Sequence, residues 1–140
     1  MICASEDVGN ADPMALVVAT NAALAVERIG MPEARIILSQ AATYVASAPK
    51  SNSAYIAIGK AMNVVQQTNT PPIPSYLQEA TYEGAKNLGR GIGYKYAHDY
   101  PNHYVKQQYL PDALANESFY QPTENGYEKQ IKEYLEHLKL

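Results

Sequence analysis

The alanine content of the first half of this chain constrains its fold more than any other feature. Fifteen alanines stand in the first 61 residues, and alanine favours the α-helix more than any other residue. Asp12 followed by Pro13 suits a helix N-terminus, and Gly30 suits a left-handed C-terminus. The sequence therefore predicts consecutive helices joined by turns so short that neighbouring helices run antiparallel.

Three helices are predicted before residue 68. The first begins at Pro13 and runs to about Arg28, the second lies between Pro32 and Pro49, and the third is capped by Ser51 or Asn52. The second and third carry apolar residues at three- and four-residue spacing, so each has one apolar face. On the third helix that face consists of Tyr55, Ile58, Met62 and Val65.

The first helix is apolar on nearly all sides. Its large apolar residues, which do not fit one stripe, are Met14, Leu16, Val17, Val18, Leu24, Val26 and Ile29. Such a helix must be covered on more than one side. Either its own neighbours or another subunit can supply that cover, and the sequence leaves both open. The residues predicted to line an interface between subunits are Met14, Leu16, Val17, Val18 and Leu24.

The second half is less regular. Residues 68–75 form a proline-rich connector that excludes helix. A short helix is predicted from about Ser75 to Leu88, then an ordered arm rich in tyrosine, glycine and proline with a short helix around Tyr104 to Tyr109. A last helix is predicted to be capped by Thr123, with the i,i+4 pairs Glu128–Lys132 and Lys129–Glu133 on its solvent side.

These elements predict an all-α protein: a bundle of about five to seven helices that carries a long irregular arm. The chain is long enough for a single domain with one core. Its predicted sub-regions are a helical body over 1–67, the connector over 68–75, a short helix and arm over 76–122, and the last helix over 123–140.

The motifs of common catalytic and metal sites are missing or incomplete. No phosphate-binding loop of the GxxxxGK[ST] type occurs, and the glycine-rich stretch Gly89–Lys95 neither follows a strand nor opens a helix. His98, Asp99 and His103 supply too few ligands for zinc. The carboxylates of Glu6, Asp7 and Asp12 suit helix ends. We therefore expect no catalytic residue, no metal and no cofactor in this chain.

Charge and compartment give weaker indications. The net charge of −3 provides no general attraction to nucleic acid. The apolar stretch Pro13–Val26 is too short to span a membrane, and the single thiol of Cys3 fits a reducing compartment. We expect a cytoplasmic protein without a membrane partner.

One segment is locally basic and aromatic. Residues 84–106 contain four cationic residues but only one acidic residue, Asp99, and tyrosines are interspersed among them. Cations with stacking rings are typical of single-stranded nucleic-acid binding, but the same residues also suit an arm pinned to a helical body by ring burial. The nucleic-acid-contact candidates are Lys86, Arg90, Tyr94, Lys95, Tyr96 and Lys106.

Several sequence segments are specific when taken together. They read ASEDVGNADP at residues 4–13, RIGMPEA at 28–34, APKSN at 48–52, GYKY at 93–96, HDYP at 98–101 and QQYLP at 107–111. In this order they resemble the C-terminal region of the RarA/MgsA family of AAA+ ATPases, which includes the Werner-helicase-interacting ATPase. The resemblance covers nearly the whole chain.

That resemblance implies a role in replication, recombination and repair at stalled forks. It implies a helical module, similar to the C-terminal domains of clamp loaders, that joins subunits into a homotetramer. The ATPase module with its ATP and Mg²⁺ would lie N-terminal to such a region. DNA and single-strand-binding protein are the implied partners of the full-length protein, which would be cytoplasmic and nucleoid-associated.

Overall fold

The protein is all-α, as the sequence predicted. The computed structural model describes residues 1–69, 71–82 and 84–139, without the side chains of Lys86 and Lys139. Within these ranges there is no β-strand. The four α-helices are α1 (Met14–Ile29), α2 (Ala34–Ser47), α3 (Ser53–Gln67) and α4 (Glu128–Lys139). Single turns of 3-10 or π helix account for the other helical segments.

The two ends of α1 form as the sequence predicted. Asp12 Oδ1 accepts a 3.0 Å hydrogen bond from the Met14 N–H, which would otherwise lack a partner at the helix start. Its other oxygen accepts a 2.8 Å bond from the Tyr44 hydroxyl on α2, and this bond raises the pKa of Tyr44. Gly30 ends the helix at φ 73° and donates its N–H to Val26.

Replacing Asp12 with alanine is expected to destabilise the fold by about 1 kcal/mol, because the cap of α1 and the tie to α2 are both lost. Urea unfolding followed by circular dichroism measures this change. Asp12→Asn keeps a capping oxygen and is expected to retain most of the stability. Equal losses in the two variants would mean that the charge of Asp12, and not the cap, is what matters.

Helices α1 and α2 pack through their small residues. Ala15 of α1 is buried in one cluster with Ala4, Val8 and Ala48, and the half-buried Ala19 and Val45 pack against it. The π-helical turn Ala4–Val8 also lies against α1. Small side chains allow these backbones to approach closely, so the interior of this layer is built mostly from methyl groups.

The segment between α2 and α3 is held by polar contacts. The Lys50 ammonium donates to the carbonyls of Val45 (3.0 Å) and Ala46 (3.1 Å) at the C-terminal end of α2, where a cation is favourable. The Ser51 N–H donates to Asp7 O at 2.8 Å. Gly9 passes so close to this loop that a Cβ on it would lie 2.7 Å from Ser51 O, and its φ of 53° also favours glycine.

Two predicted helices are wrong. Over the described residues 75–82 and 84–88, the only helical segments are the 3-10 turns Ser75–Leu77 and Ala85–Leu88, and Gly84 at φ 87° takes the backbone out of a helical path. The region from Tyr104 to Tyr109 is not helical either. There a backbone carbonyl is satisfied by a tyrosine side chain, since the Tyr76 hydroxyl donates to Gln108 O.

The prediction for the start of the last helix is also wrong. Helix α4 begins at Glu128, and Thr123 lies before it in a non-helical segment. Glu128 is buried and so does not pair with Lys132 at the surface; Lys132 pairs with Glu124 instead. No ion pair joins Lys129 to Glu133, both of which are described.

The backbone divides into two compact units. One comprises Met1–Asn63 with Phe119–Leu140, and the other is Val64–Ser118. The predicted division into body, connector, arm and last helix stays a prediction, and Thr70 of the connector lies outside the described residues. None of the described helices combines the length and apolarity that crossing a membrane requires.

Candidate self-association surface

The buried hydrophobic residues of this protein are almost all alanines. Seven alanines and Val8 make up the buried hydrophobic set among the described residues. No described leucine, isoleucine, methionine, tyrosine or phenylalanine is buried. Because stabilisation by burial is roughly proportional to the apolar area removed from water, a core of methyl groups contributes little per residue. Many of the large apolar side chains that normally supply this stabilisation are exposed, and the others are half-buried.

The exposed area is correspondingly large. The chain exposes 10234 Å², whereas a compact monomer of its mass exposes about 7,200 Å². Two separate globules of the sizes of the two units would expose only about 8,600 Å² together. The excess of at least ~1,600 Å² per copy is in the range that permanent protein interfaces bury.

The outward face of α1 carries the predicted interface residues. Val17 and Leu24 are 46% and 49% exposed and lie on the side of the helix opposite the buried Ala15 and Ala22. The side chains of Met14 and Leu16 are exposed as well, and that of Val18 is half-buried. Their exposure leaves them available to a partner, and their role in an interface stays a prediction.

Several grooves with mostly apolar linings lie along α1, and two of them contain residues predicted to line an interface. The first, the N-terminal groove, has a volume of about 490 Å³ and is lined by Ile2 from the N-terminal segment, Leu16 from α1, and Tyr55 and Ile58 from α3. The second, the α1–α2 groove, has a volume of about 350 Å³, and its lining includes Val17, Val18, Ile37 and Ala41. Of the predicted residues, Leu16 therefore lines one groove and Val17 and Val18 line the other, on different sides of α1, while Met14 and Leu24 line neither.

The sequence did not indicate the contribution of Ile2 or the outward orientation of Tyr55 and Ile58. The apolar spacing on the third helix was visible, but it indicates only that those residues share a face. Whether that face is covered within the chain depends on which helices pack against it. In the structure α3 turns the half-buried Ala54, Ala57 and Ala61 toward the rest of the chain.

A buried carboxylate joins the α2–α3 loop to the segment that precedes α4. Glu128, at the first turn of α4, is 0% exposed. Its Oε2 accepts hydrogen bonds from Ser51 Oγ (2.7 Å), the Thr123 N–H (2.7 Å) and Thr123 Oγ1 (2.8 Å), and its Oε1 accepts one from the Tyr120 hydroxyl (2.9 Å). We call these four residues the Glu128 anchor. A buried charge needs such a shell, because its desolvation is otherwise unfavourable.

Further hydrogen bonds connect the anchor to the N-terminal segment. The Asn10 amide donates to the Tyr120 hydroxyl at 3.3 Å, and the Tyr127 N–H donates to Ala11 O at 2.8 Å. The Asn125 amide donates to Lys50 O at 2.9 Å. The start of α4 therefore holds both the N-terminal segment and the α2–α3 loop. Nothing in the sequence indicated this, because the bonded residues are separated by up to 110 positions.

The anchor makes the fold sensitive to acid. Burial raises the pKa of Glu128, but the hydrogen bonds from Thr123, Ser51 and Tyr120 outweigh burial and hold the pKa below its ordinary value of 4.5. A carboxyl with a lowered folded-state pKa stabilises the fold above its unfolded-state pKa. That stability is lost as the pH falls through the folded-state value.

We therefore expect the free energy of unfolding to fall as the pH drops below about 4.5. Urea unfolding midpoints measured between pH 7 and pH 3 test this expectation. Glu128→Gln cannot titrate, so its midpoint is expected to vary less over the same range. Parallel curves for the two proteins would show that Glu128 does not contribute to the acid sensitivity.

The nucleic-acid-contact candidates lie in the second unit in different environments. Tyr94, Lys95, Tyr96 and Lys106 are exposed. Arg90 is half-buried and engaged, because its Nη1 donates to the Tyr82 hydroxyl at 2.7 Å and its guanidinium lies 5.8 Å from the centre of that ring. The side chain of Lys86 lies outside the described residues. No contact among the described candidates brings all of them into one site.

Aromatic rings form a short series beside Lys95. The rings of Tyr96 and His98 have centroids 5.0 Å apart, and those of His98 and His103 are 4.9 Å apart, both pairs tilted. We call these three rings the ring ladder. All three residues are exposed. Sequence reasoning considered the two histidines only as metal ligands and did not connect them to Tyr96.

The possible metal ligands and the single thiol were compared with the structure. In the described part of the chain no three histidine, cysteine, aspartate or glutamate side chains come together as a possible metal site. Cys3 is exposed. Its hydrogen bond with Asp7 raises the pKa of the thiol, so the reactive thiolate is disfavoured.

Several known proteins are similar in sequence to this chain over most of its length. Replication-associated recombination protein A of Bacillus subtilis is 43% identical over 139 residues, which is 99% of this chain and 33% of that protein. The protein of the same name from Escherichia coli K12 is 40% identical over 94% of this chain and 30% of its own length. ATPase WRNIP1 of Dictyostelium discoideum is 38% identical over 84% of this chain and 14% of its own.

The chain thus spans about a third or less of the length of these relatives. The sequence pattern of one family, described as the MgsA AAA+ ATPase C-terminal region, matches residues 1–139. The all-α fold and the lack of a phosphate-binding loop are consistent with a region outside the ATPase core. This chain belongs to the family of C-terminal regions of the MgsA AAA+ ATPases.

Proposed function

We propose that this chain is the self-association module of an AAA+ ATPase that acts in replication-associated recombination. It joins four copies of the protein and contributes no catalytic group. The names of the bacterial relatives support the process, and the family supports the placement C-terminal to an ATPase module. ATP and Mg²⁺ bind in that module, and the full-length protein works in the cytoplasm at stalled forks with DNA and single-strand-binding protein.

One observation carries the self-association: the buried hydrophobic residues are alanines and Val8, while many large apolar side chains are exposed. In a monomer this arrangement leaves part of the available hydrophobic stabilisation unused. Exposed apolar surface beyond a few hundred Å² is typical of interaction sites. Copies of the chain that cover each other's α1 faces would bury Val17 and Leu24 and remove part of the excess area.

The positions of the two grooves support four copies. The N-terminal groove and the α1–α2 groove lie on different sides of α1 and have different linings. A dihedral tetramer needs two distinct surfaces, each paired with itself across a two-fold axis.

Native mass spectrometry of the chain without nucleotide tests the number of copies. The expected species has four times the chain mass of 15.4 kDa. Adding ATP and Mg²⁺ is expected to leave the spectrum unchanged, because the chain has no phosphate-binding loop. A spectrum with only the single-chain mass at micromolar concentration would contradict the proposal.

The ring ladder favours a second candidate function, which is binding of single-stranded nucleic acid. Exposed rings offer stacking surfaces for bases, and the exposed Lys95 and Lys106 offer charge for phosphates. The net charge of the whole chain, −3, acts against this function unless the contact is local. It is therefore the weaker of the two proposals.

Fluorescence anisotropy with an oligo-dT probe tests this second function. Binding should weaken steeply with salt, and Tyr96→Ala with Lys95→Ala should reduce affinity by at least about tenfold. Tyr127→Ala with Lys129→Ala changes the same residue types at exposed positions in the other unit and serves as the control. Equal affinities for both double variants and the unchanged chain would eliminate the ring ladder as the site.

A further inference from the structure

Gly59 lies in the interior of α3, where glycine is unfavourable. Compared with alanine, a glycine inside a helix costs about 0.5–1 kcal/mol. Such a residue usually permits a turn, a positive φ or a close approach of another backbone. The helix continues from Ser53 to Gln67 through Gly59, and this residue is not among the positive-φ glycines. A Cβ placed on it would meet no atom within 4 Å. The chain itself therefore supplies no reason for this glycine.

The residues around Gly59 form an apolar stripe. Tyr55 lies about one turn before it, Ile58 is adjacent, and Met62 lies about one turn after it. The three side chains are 56%, 58% and 50% exposed. Lys60 is the one charged residue of α3, and helical geometry places it on the side opposite the stripe. We call Tyr55, Ile58, Gly59 and Met62 the α3 stripe.

We propose that α3 of a second copy of this chain packs against the α3 stripe and crosses it at Gly59. This inference rests on the proposed self-association and specifies one of its contacts. The missing side chain lets two helix backbones approach closely, while the neighbouring large side chains fill the space on either side of the crossing. In this geometry Gly59 of each copy faces the same residue of the other.

Four observations favour a second copy as the occupant. The stripe is uncharged, so two identical stripes meet without repulsion between like charges. It combines a notch at Gly59 with ridges at Ile58 and Met62, which allows pairing with itself across a two-fold axis. The excess exposed area of at least ~1,600 Å² per copy is enough for more than the α1 face alone. The N-terminal groove, which Tyr55 and Ile58 line, continues the same surface.

Substitutions at Gly59 separate this contact from simple helix stability. Gly59→Ala favours the helix and meets no obstacle within the chain, so the variant should keep or increase its helical circular dichroism. It should nevertheless raise the dissociation constant of the assembly by about tenfold, since the backbones can no longer approach as closely. Gly59→Leu is expected to reduce the tetramer to dimers in sedimentation velocity. Lys60→Ala, on the opposite side of α3, is the control and should leave the assembly unchanged.

The outcomes distinguish this inference from the proposed function. If the unchanged chain is a monomer, the proposed function fails and the α3 contact fails with it. If the unchanged chain is a tetramer and Gly59→Leu remains a tetramer of the same affinity, only the α3 contact is overturned. Loss of assembly in Gly59→Leu but not in Lys60→Ala, with helical content retained in both, supports the α3 contact.

Discussion

Replacing Glu128 with alanine is expected to destabilise the chain by roughly 3–5 kcal/mol, the largest effect of any single substitution that the structure indicates. The change removes the acceptor of four hydrogen bonds at once. It leaves the buried Ser51 hydroxyl and the half-buried Thr123 N–H without this acceptor. Each donor is then desolvated without a compensating hydrogen bond. This lowers the stability by more than the net contribution of the hydrogen bond itself.

The loss should also have a structural signature. The Glu128 anchor holds the N-terminal segment and the α2–α3 loop to the start of α4, so its removal should free all three. Amide hydrogen exchange should accelerate at Ser51 and Tyr127, whose N–H groups bond to Asp7 O and Ala11 O across these joins. The helical interior of α1 should remain protected longest.

Urea unfolding measures the stability change, and Glu133→Ala is its matched control. Glu133 is a glutamate of the same helix, but it is exposed, so its substitution should change the stability by less than about 0.5 kcal/mol. Glu128→Gln should lie between the two, because its amide keeps the shape and one acceptor but presents a donor to other donors. Similar losses for Glu128→Ala and Glu133→Ala would contradict the importance of the anchor.

Introducing lysine at both Val17 and Leu24 is expected to separate the copies. Both side chains are about half exposed in the single chain, so the ammonium groups of lysines there can reach solvent in a monomer. In an interface they would bury two unpaired charges at a cost of several kcal/mol. The dissociation constant should rise by at least about a thousandfold, which corresponds to 4 kcal/mol.

Analytical ultracentrifugation with circular dichroism detects this separation. The mass should fall while helical content is retained at low temperature. Lysines at Gln130 and Glu133, both exposed on α4, add positive charge without touching either groove and should leave the mass unchanged. An intact assembly in the Val17 and Leu24 variant would mean that the outward face of α1 is not an interface.

The sequence predicted the features of the fold that depend on local signals. Asp12 and Gly30 mark the ends of α1 through hydrogen bonds to residues within four positions, so their effect can be anticipated without knowing the fold. The all-α class follows from the same signals. The predicted helix from Ser75 to Leu88 was wrong because its periodicity was weak and Gly84 at positive φ interrupts it.

The features that depend on distant residues could not be predicted. Glu128 has the spacing of a surface ion pair with Lys132, and only its contact with Ser51, 77 positions away, makes it a buried anchor. The excess of apolar surface on α1 was evident from the sequence. Which residues of α1 face inward and which face outward depends on how α2 packs. In the structure the alanines face inward, and Val17 and Leu24 face outward. Larger apolar residues usually face the interior, so the opposite arrangement had no local signal.

The central claim is that this alanine-cored chain relies on other copies of itself for much of its hydrophobic stabilisation. The dependence of its thermal unfolding midpoint on protein concentration tests that claim most directly. If folding and assembly are linked, the midpoint should rise by about 3–5 °C for each tenfold increase in concentration, in the direction that mass action requires. A midpoint that stays constant over a hundredfold range, in a chain that sediments as a monomer throughout, would contradict the account.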